Sequence, residues 1–133
     1  NIPADAEFDA ARAAWNGEWR MPTDAEFRTL INYDESGKTD GGKWIADYDG
    51  TGVSGLLVTG KGEYSTCSIF LPAAGEGSGY QLFSLGERGS YWTSTLAEYY
   101  DGVAMHVRIY PDSSYSTDTP REVGCTVRPV SDK

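Results

Sequence analysis

The apolar positions near the start of the chain recur at helical spacing. Phe8, Ala11 and Trp15 are three and four residues apart, which predicts a helix from Ala4 to Trp15 with one face towards a core. Asn16-Gly17 follows, and such a pair is typical of the left-handed residues that end a helix. The pattern therefore predicts a first helix packed on the core.

A second helix is predicted to begin at Thr23. Thr23 and Glu26 have the spacing of a capping box, in which the Thr hydroxyl accepts from the Glu amide and the Glu carboxylate accepts from the Thr amide. Phe27, Leu30 and Ile31 then supply the stripe that this helix should bury.

The residues just before the second helix are predicted to be framework. Trp19 is expected to fill the core, Arg20 to form a salt bridge or a cap, and Pro22 to end an intervening strand. Trp92 is likewise expected to anchor the core rather than to stack on a sugar.

The rest of the chain reads as short strands. Residues 33–55 are polar and rich in Gly and Asp, which predicts a long, partly packed loop or a short hairpin. The strand-like runs that follow are separated by Gly and polar breaks with no room for crossover helices, so the sheet is predicted to be mainly antiparallel. The predicted strands are Gly55 to Thr59, Ser68 to Leu71, Ser90 to Thr95, Val103 to Tyr110 and Gly124 to Val130.

The predicted strand from Val103 to Tyr110 alternates most clearly. One set of side chains should face the core and the other should be free to contact a ligand. The core set is Val103, Met105, Val107 and Ile109. The outward set is Ala104, His106, Arg108 and Tyr110. A turn should follow at residues 111–114, and then an exposed return segment from Tyr115 to Thr119.

The segment from Leu96 to Glu122 has an unusual composition. It is rich in Tyr, Ser, Thr and Asp, and five of the nine tyrosines of the chain lie after residue 90. Tyr offers a large contact area with few torsions to order, and small polar residues offer adaptable hydrogen bonds, a balance seen in antibody paratopes. This composition predicts a binding surface; tyrosines half-buried for packing at a strand-rich edge are the alternative.

Size and charge limit the classes of partner. A chain of 133 residues with 39% apolar residues fits one domain, residues 1–133, with a core of its own. The net charge of −9 disfavours nucleic acid and anionic membrane surfaces as partners. No apolar run approaches the roughly 20 residues of a membrane-spanning helix, so no direct membrane insertion is expected. Because the chain starts with Asn1, we expect that a leader or a further domain has been removed.

Few residues are candidates for nucleophilic or metal chemistry. Cys67 and Cys125 lack metal-ligand spacing, and they are predicted either to form a disulfide or to be two buried free thiols. His106 is the only histidine, and on an outward strand face it is expected to contact a ligand rather than to act as a base. No cofactor and no metal are predicted.

Two glycine-containing segments match ion-binding loops only in part. Asp47 to Gly52 begins like a calcium loop, but Val58 occupies position twelve, where a bidentate Glu belongs, so a turn of the Asx type is predicted. Gly75 to Gly79 lacks the strand and helix of a phosphate-binding loop and carries Glu76, so it is predicted to be a flexible loop.

Four motifs occur in order along the chain and carry a resemblance. They are WRMPT from Trp19, SIFLPAAG from Ser68, GSYWTST from Gly89 and GCTVRPV from Gly124. With these motifs the chain closely resembles, from about residue 4 to residue 130, the Fibrobacter succinogenes major paralogous domain family, which is common in surface proteins of Bacteroidota. That family resembles the C-type lectin fold, as do the formylglycine-generating enzymes and the variable proteins diversified by retroelements.

The resemblance implies an α+β, C-type lectin-like fold in which two helices pack on a small twisted antiparallel sheet with long loops. In the retroelement-diversified proteins the variable positions form a ligand site in the C-terminal strand and loop region, which corresponds here to Leu96 through Glu122. Calcium-dependent sugar-binding lectins use Glu-Pro-Asn or Gln-Pro-Asp with Trp-Asn-Asp, and neither set occurs in this sequence. Formylglycine-generating enzymes need a close pair of reactive cysteines, whereas Cys67 and Cys125 stand in separate, apolar strand patterns.

We therefore predict a non-catalytic module of a longer bacterial surface protein that binds a protein or glycan outside the cell. The predicted contact residues are Tyr99, Tyr100, Asp101, His106, Arg108, Tyr110, Asp112, Tyr115 and Glu122. One alternative is a structural or fimbria-associated domain without its own ligand, and another is a relative of the formylglycine-generating enzymes. A glycosidase is a further alternative, and it would pair two carboxylates. The candidates for that pair are Glu98, Asp101, Asp112, Asp118 and Glu122.

Overall fold

Two short α-helices, two single-turn 3₁₀ helices and ten short strands are the regular elements of the residues that the structure, a computed structural model, describes: residues 7–32 and 42–133. The helices are α1 (Ala10–Trp15) and α2 (Asp24–Leu30). The strands are β1 (Trp19–Arg20), β2 (Gly42–Ile45), β3 (Gly55–Thr59), β4 (Ser68–Pro72), β5 (Glu76–Ser78), β6 (Gln81–Phe83), β7 (Gly89–Leu96), β8 (Val103–Ile109), β9 (Ser114–Pro120) and β10 (Val130–Ser131). The α+β class is as predicted. The predicted helix start at Ala4 and residues 33–41 of the predicted loop lie outside the described residues.

All strand pairs within these residues are antiparallel, as predicted. Two sheets have three strands, in the orders β2-β3-β4 and β7-β8-β9, and two have two strands, β1-β10 and β5-β6. The four predicted strands that start at residues 55, 68, 90 and 103 are confirmed with ends that move by no more than one residue. The predicted exposed segment from Tyr115 to Thr119 forms most of β9, in which Asp118 is exposed, Thr119 is buried and the three residues 115–117 are half-buried.

The predicted strand from Gly124 to Val130 is only partly formed. Gly124 makes a single antiparallel bridge to Gly77 of β5, and Thr126 makes a single parallel bridge to Tyr91 of β7. Pro129 has no amide hydrogen with which to continue a ladder. The segment therefore runs beside β5 and β7, and pairs as a regular strand only at Val130–Ser131, against β1.

Helix α1 is shorter than predicted because Asp9 caps it. The Asp9 carboxylate accepts from the amides of Ala11 and Arg12, each at 3.0 Å, which starts the helix at Ala10. Phe8 therefore precedes the helix, and the predicted stripe is wrong, since Phe8 and Trp15 are 65% and 55% exposed and Ala11 alone is buried. The predicted left-handed end is confirmed, with φ of 57° at Asn16 and 67° at Gly17.

Helix α2 begins with the predicted capping box and delivers two residues to the core. The Thr23 hydroxyl accepts from the Glu26 amide at 3.2 Å, and the Glu26 carboxylate accepts from the Thr23 amide at 2.8 Å. Phe27 and Ile31 are buried, whereas Leu30 is 36% exposed. The core that they join is built from Phe27, Ile31, Leu56, Val58, Leu71, Tyr91, Val107 and Ile109.

The residues between the helices divide in their roles. Arg20 forms the predicted salt bridge, at 2.7 Å from Glu26 and 2.8 Å from Asp132. Its hydrogen bond lowers the pKa of Glu26 to about 2. Trp19 does not fill the core as predicted; it is 46% exposed, because β1 is a two-residue edge strand with Ser131 as its partner.

Candidate functional site

The sheet β7-β8-β9 and the turns at its two ends carry the predicted contact residues. Strand β8 lies between β7 and β9, so both of its edges are paired. On the inner face Tyr91, Val107 and Ile109 are buried in the core with α2. The predicted inward set of β8 is thus confirmed at its second half, while Val103 and Met105 are half-buried.

The outer face of β8 is not open as predicted. His106 is fully buried, and Ala104, Arg108 and Tyr110 are half-buried. The cross-strand partners of His106 are Trp92 of β7 and Thr117 of β9. The prediction that His106 is exposed is wrong, because side chains that include Trp92 pack against its ring, and it has no free surface to offer a ligand.

The environment of His106 keeps its imidazole neutral. Among the described residues neither ring nitrogen has a hydrogen-bond partner of normal geometry. Burial, together with the positive charge of Arg108, lowers the pKa of His106 to about 4, although Glu76 and the Thr117 backbone act in the opposite direction. A buried imidazole with this pKa carries no charge at neutral pH.

A buried carboxylate joins two guanidinium groups beside this face. Glu76 of β5 is 6% exposed, and its Oε1 lies 2.6 Å from Nη2 of Arg88 and 2.9 Å from Nη2 of Arg108. The Ser90 hydroxyl also donates to Glu76, at 3.1 Å. These three donors offset the desolvation of the carboxylate. Two guanidinium groups and one carboxylate leave a local charge of +1 in a chain of net charge −9.

Two tyrosines adjoin this ion network. The rings of Tyr110 and Tyr115 stack with centroids 5.7 Å apart, and their hydroxyls are 3.2 Å apart. Nη1 of Arg88 donates to the Tyr110 hydroxyl at 3.5 Å. The hydrogen bond with Tyr110, supported by one from Arg108, lowers the pKa of Tyr115, whereas burial raises the pKa of Tyr110. We call Arg88, Arg108, Tyr110 and Tyr115 the arginine-tyrosine cluster.

The opposite end of the sheet exposes a second group of predicted contact residues. In the turn between β7 and β8, Tyr99 and Tyr100 are 85% and 72% exposed, and Asp101 is exposed beside them. Glu122 is exposed as well. It lies at the same end because the amide of the preceding residue, Arg121, donates to the Gly102 carbonyl at 3.1 Å. We call Tyr99, Tyr100, Asp101 and Glu122 the turn surface.

A mainly apolar groove of about 420 Å³ opens at the base of the turn surface. Its walls include Trp92 and Leu96 of β7, Ala104 of β8, Phe8 ahead of α1, and Arg121. Leu96 and Ala104 flank the turn directly, since they are cross-strand partners. The groove therefore borders the segment that carries the two exposed tyrosines.

The predicted contact residues thus form two groups rather than one. Arg108, Tyr110, Asp112 and Tyr115 lie at the β8–β9 end of the sheet, and the turn surface lies at the β7–β8 end. At about 3.3 Å per residue, the length of β8 separates the two groups by roughly 20 Å. A small ligand can reach only one of them.

Sequence reasoning missed Glu76 and Arg88. The segment around Glu76 was predicted to be a flexible loop, but it is strand β5, and Glu76 is buried in ion pairs. One signal for a buried ion pair was available. Arg108 alternates with core residues along the predicted strand, and a guanidinium near the core needs a counter-charge. That signal does not say which carboxylate supplies it.

The two cysteines are not joined. Cys67 and Cys125 are both free, which excludes the disulfide alternative. Cys67 is exposed and so departs from the prediction of two buried thiols, since it lies outside the strand β4 in which it was placed. Cys125 is half-buried, and burial and the charge of Glu76 raise its pKa to about 12.

The partial calcium motif is a turn. The Asp47 carboxylate accepts from the Gly52 amide at 2.6 Å, five residues on, so the closure is wider than the predicted Asx turn, in which the amide lies two residues on. Within residues 7–32 and 42–133, no group of three or more His, Cys, Asp or Glu side chains is arranged to hold a metal ion. In the same residues no helix has the length and apolar character needed to cross a membrane.

Comparison with known proteins adds no relative. No protein-family model matches the chain, and neither a curated protein nor a solved structure is significantly similar to it. The resemblance carried by the four sequence motifs therefore stays a prediction.

Proposed function

We propose that this chain is a non-catalytic ligand-binding module of the C-type lectin-like type, displayed on the surface of a bacterium, and that it binds a protein or glycan through the turn surface. The observation that carries the proposal is the exposure of Tyr99 and Tyr100, at 85% and 72%. Tyr residues are among those that supply most of the binding energy at protein interfaces. Two of them side by side in water, with Asp101 next in the chain, are what a contact surface requires.

The architecture supports the C-type lectin-like part of the proposal. Two helices beside small antiparallel sheets are what the motif resemblance implies. Residues of three motifs also have framework positions, since Thr23 caps α2 while Leu71 and Tyr91 are buried in the core. The turn surface lies on a scaffold held by these contacts, and its own side chains take no part in them.

The burial of His106 and Cys125 supports binding rather than catalysis. His106 is enclosed and neutral, so it cannot exchange a proton with a bound substrate. The Cys125 thiol, with a pKa of about 12, is a poor nucleophile at neutral pH. The groove and the exposed tyrosines, in contrast, provide contact area.

A binding screen tests the proposal directly. The isolated domain is immobilised and probed with a glycan array and with purified host and bacterial surface proteins. Any ligand found is then measured against a Tyr99→Ala/Tyr100→Ala variant, and we expect its affinity to fall by about 30-fold, as for residues at the centre of an interface. The melting temperature should stay unchanged, because both side chains lie in water.

Tyr80→Ala is the matched control, since Tyr80 is also fully exposed but lies between β5 and β6. This variant should bind like the parent. Ligands that bind the double variant as tightly as the parent would refute the turn surface as the site, and a double variant that fails to fold would assign the tyrosines to packing instead.

The resemblance to diversified proteins adds a genomic test. If residues 96–122 are diversified by a retroelement, the coding sequence should lie near a reverse-transcriptase gene and a near-copy of its 3′ end that differs only at adenines. Relatives should then differ at Tyr99, Tyr100 and Asp101 and share the buried residues Tyr91 and Val107. A flanking region without such a copy would remove diversification from the proposal and leave binding to be tested by the screen.

A further inference from the structure

We propose that the arginine-tyrosine cluster is a second binding site, separate from the turn surface, and that it recognises a carboxylate group. The inference does not rest on the proposed function, because the two sites lie at opposite ends of β8 and share no residue. Its basis is an excess of unused hydrogen-bond donors with a positive charge at the surface of an acidic protein.

The guanidinium groups are held in place but not saturated. Each carries five N–H donors. Glu76 accepts from Nη2 of both, and further hydrogen bonds run from Arg88 to Tyr110 and from Arg108 to Tyr115, so not all ten donors are used. The Nε atoms of both are enclosed and have no hydrogen-bond partner among the described residues. About a fifth of each side chain, 21% for Arg88 and 22% for Arg108, remains exposed. The two guanidinium groups are thus held by a buried partner while part of each side chain, other than its enclosed Nε, reaches solvent, and such a group is pre-organised for an anion.

The local charge selects the kind of anion. The ion network with Glu76 has a net charge of +1, which one monoanion neutralises, whereas a phosphate dianion would leave an excess negative charge in a chain of net charge −9. The planar fork of a guanidinium matches the two oxygens of a carboxylate. Asp112, in the adjoining turn, is exposed, so water and salt screen its charge.

The tyrosine pair supplies the remaining donor. Only one of the two hydroxyl hydrogens can lie between Tyr110 and Tyr115. Arg88 donates to the Tyr110 oxygen, and if Tyr110 in turn donates to Tyr115, the O–H of Tyr115 can donate to a ligand. Arg108, the cross-strand partner of Tyr115, is adjacent. A carboxylate at this point would accept from a guanidinium and from a phenol together.

The choice of probe distinguishes a sugar carboxylate from a peptide carboxylate as the ligand. Methyl glucuronate carries its carboxylate on a sugar ring, N-acetylglycine carries it as a peptide terminus does, and methyl glucoside is the uncharged control. NMR titration of the folded domain follows the Arg Nε–H signals. We expect saturable shifts of Arg88 and Arg108 with at least one carboxylate and none with methyl glucoside; the carboxylate that binds more tightly identifies the source.

Tyr115→Phe should reduce the affinity for that carboxylate about tenfold, since it removes one hydrogen bond to a charged group and leaves the stacked ring in place. Tyr64→Phe is the control and should bind like the parent, because Tyr64 is exposed outside the cluster. The absence of saturable Arg shifts with both carboxylates would overturn the proposal, and so would unchanged affinity of the Tyr115→Phe variant. The Tyr99→Ala/Tyr100→Ala variant should keep full carboxylate binding, which separates this site from the turn surface.

Discussion

The imidazole of His106 lies edge-on to the indole of Trp92, with ring centroids 5.8 Å apart. The contact lies on the outer face of the sheet, where β7 and β8 pair. Because Trp92 and the Glu76 ion network stand over this face, it is a second packed layer rather than a free surface. A neutral aromatic ring fits there; a charged imidazolium beside Arg108 does not.

The stability of the fold should therefore fall in mild acid. The pKa of His106 is about 4 in the fold and 6.5 as its ordinary value, so the unfolded chain binds more protons between these pH values. The contribution of His106 to the free energy of unfolding is expected to be highest above pH 6.5. It should decrease by about 3 kcal/mol as the pH falls to 4. Urea unfolding at a series of pH values measures this decrease.

His106→Leu is the matched variant, because leucine fills a similar space and has no proton to gain. It should keep most of the stability at pH 7, since both unpartnered nitrogens are removed. Its unfolding free energy should be much flatter between pH 6.5 and 4. Parallel curves for the variant and the parent would show that His106 does not cause the acid sensitivity. Glu26, whose pKa of about 2 in the fold makes its own contribution decline around and below pH 4.5, is present in both proteins, so its effect cancels in the difference between the two curves.

His106 also shows where sequence reasoning stops. The alternation of β8 correctly places Val107 and Ile109 on the inner face, because the period of a strand is a local property. Whether the outer face is covered depends on Trp92 and Glu76, which come from other parts of the chain, and no local pattern reports that. Trp15 and Trp19 are another example. Both are exposed, because burial of a side chain depends on what other parts of the chain pack against it, and local spacing does not report that.

The candidate sites divide in the same way. The turn surface was predicted from composition, since exposed tyrosines in a polar turn need no distant partner. The arginine-tyrosine cluster was predicted only for Arg108, Tyr110 and Tyr115, which are close in sequence. Arg88 and its link to Glu76 depend on the contact between β5 and β7. The local spacing of residue types does not reveal which strands distant in sequence will lie together.

Close packing where β4, β7 and β8 meet leaves no room for a side chain at Gly89. A Cβ atom at this position would lie 2.8 Å from the Pro72 carbonyl oxygen and 2.9 Å from Cγ1 of Ile109. Gly89→Ala should therefore destabilise the fold by about 1–3 kcal/mol through overpacking. Gly102→Ala should change stability by less than about 0.5 kcal/mol, because no atom lies within 4 Å of its Cβ position. Equal midpoints of urea unfolding for the two variants would contradict this packing argument.

The capping box of α2 should contribute measurably to stability. Thr23→Ala removes the acceptor for the Glu26 amide, and we expect a loss of about 1 kcal/mol in the free energy of unfolding. Thr29→Ala is the control on the same helix, because its hydroxyl bonds only to an intrahelical carbonyl at an exposed position. The control should stay within about 0.5 kcal/mol of the parent. A larger loss for Thr29→Ala than for Thr23→Ala would mean that the cap does not hold the helix start.

The two thiols should react at very different rates with a water-soluble disulfide reagent in the folded protein. Cys67 is exposed and should react at once. Cys125 is half-buried with a pKa of about 12, so at pH 8 only about 10⁻⁴ of it is thiolate, the reactive form. One equivalent of thiol is expected in buffer and two in denaturant, measured from the absorbance of the released thiol. Cys67→Ser should abolish the fast reaction and Cys125→Ser should preserve it. Two fast equivalents would contradict the burial of Cys125, and none in denaturant without a reducing agent would reveal a disulfide.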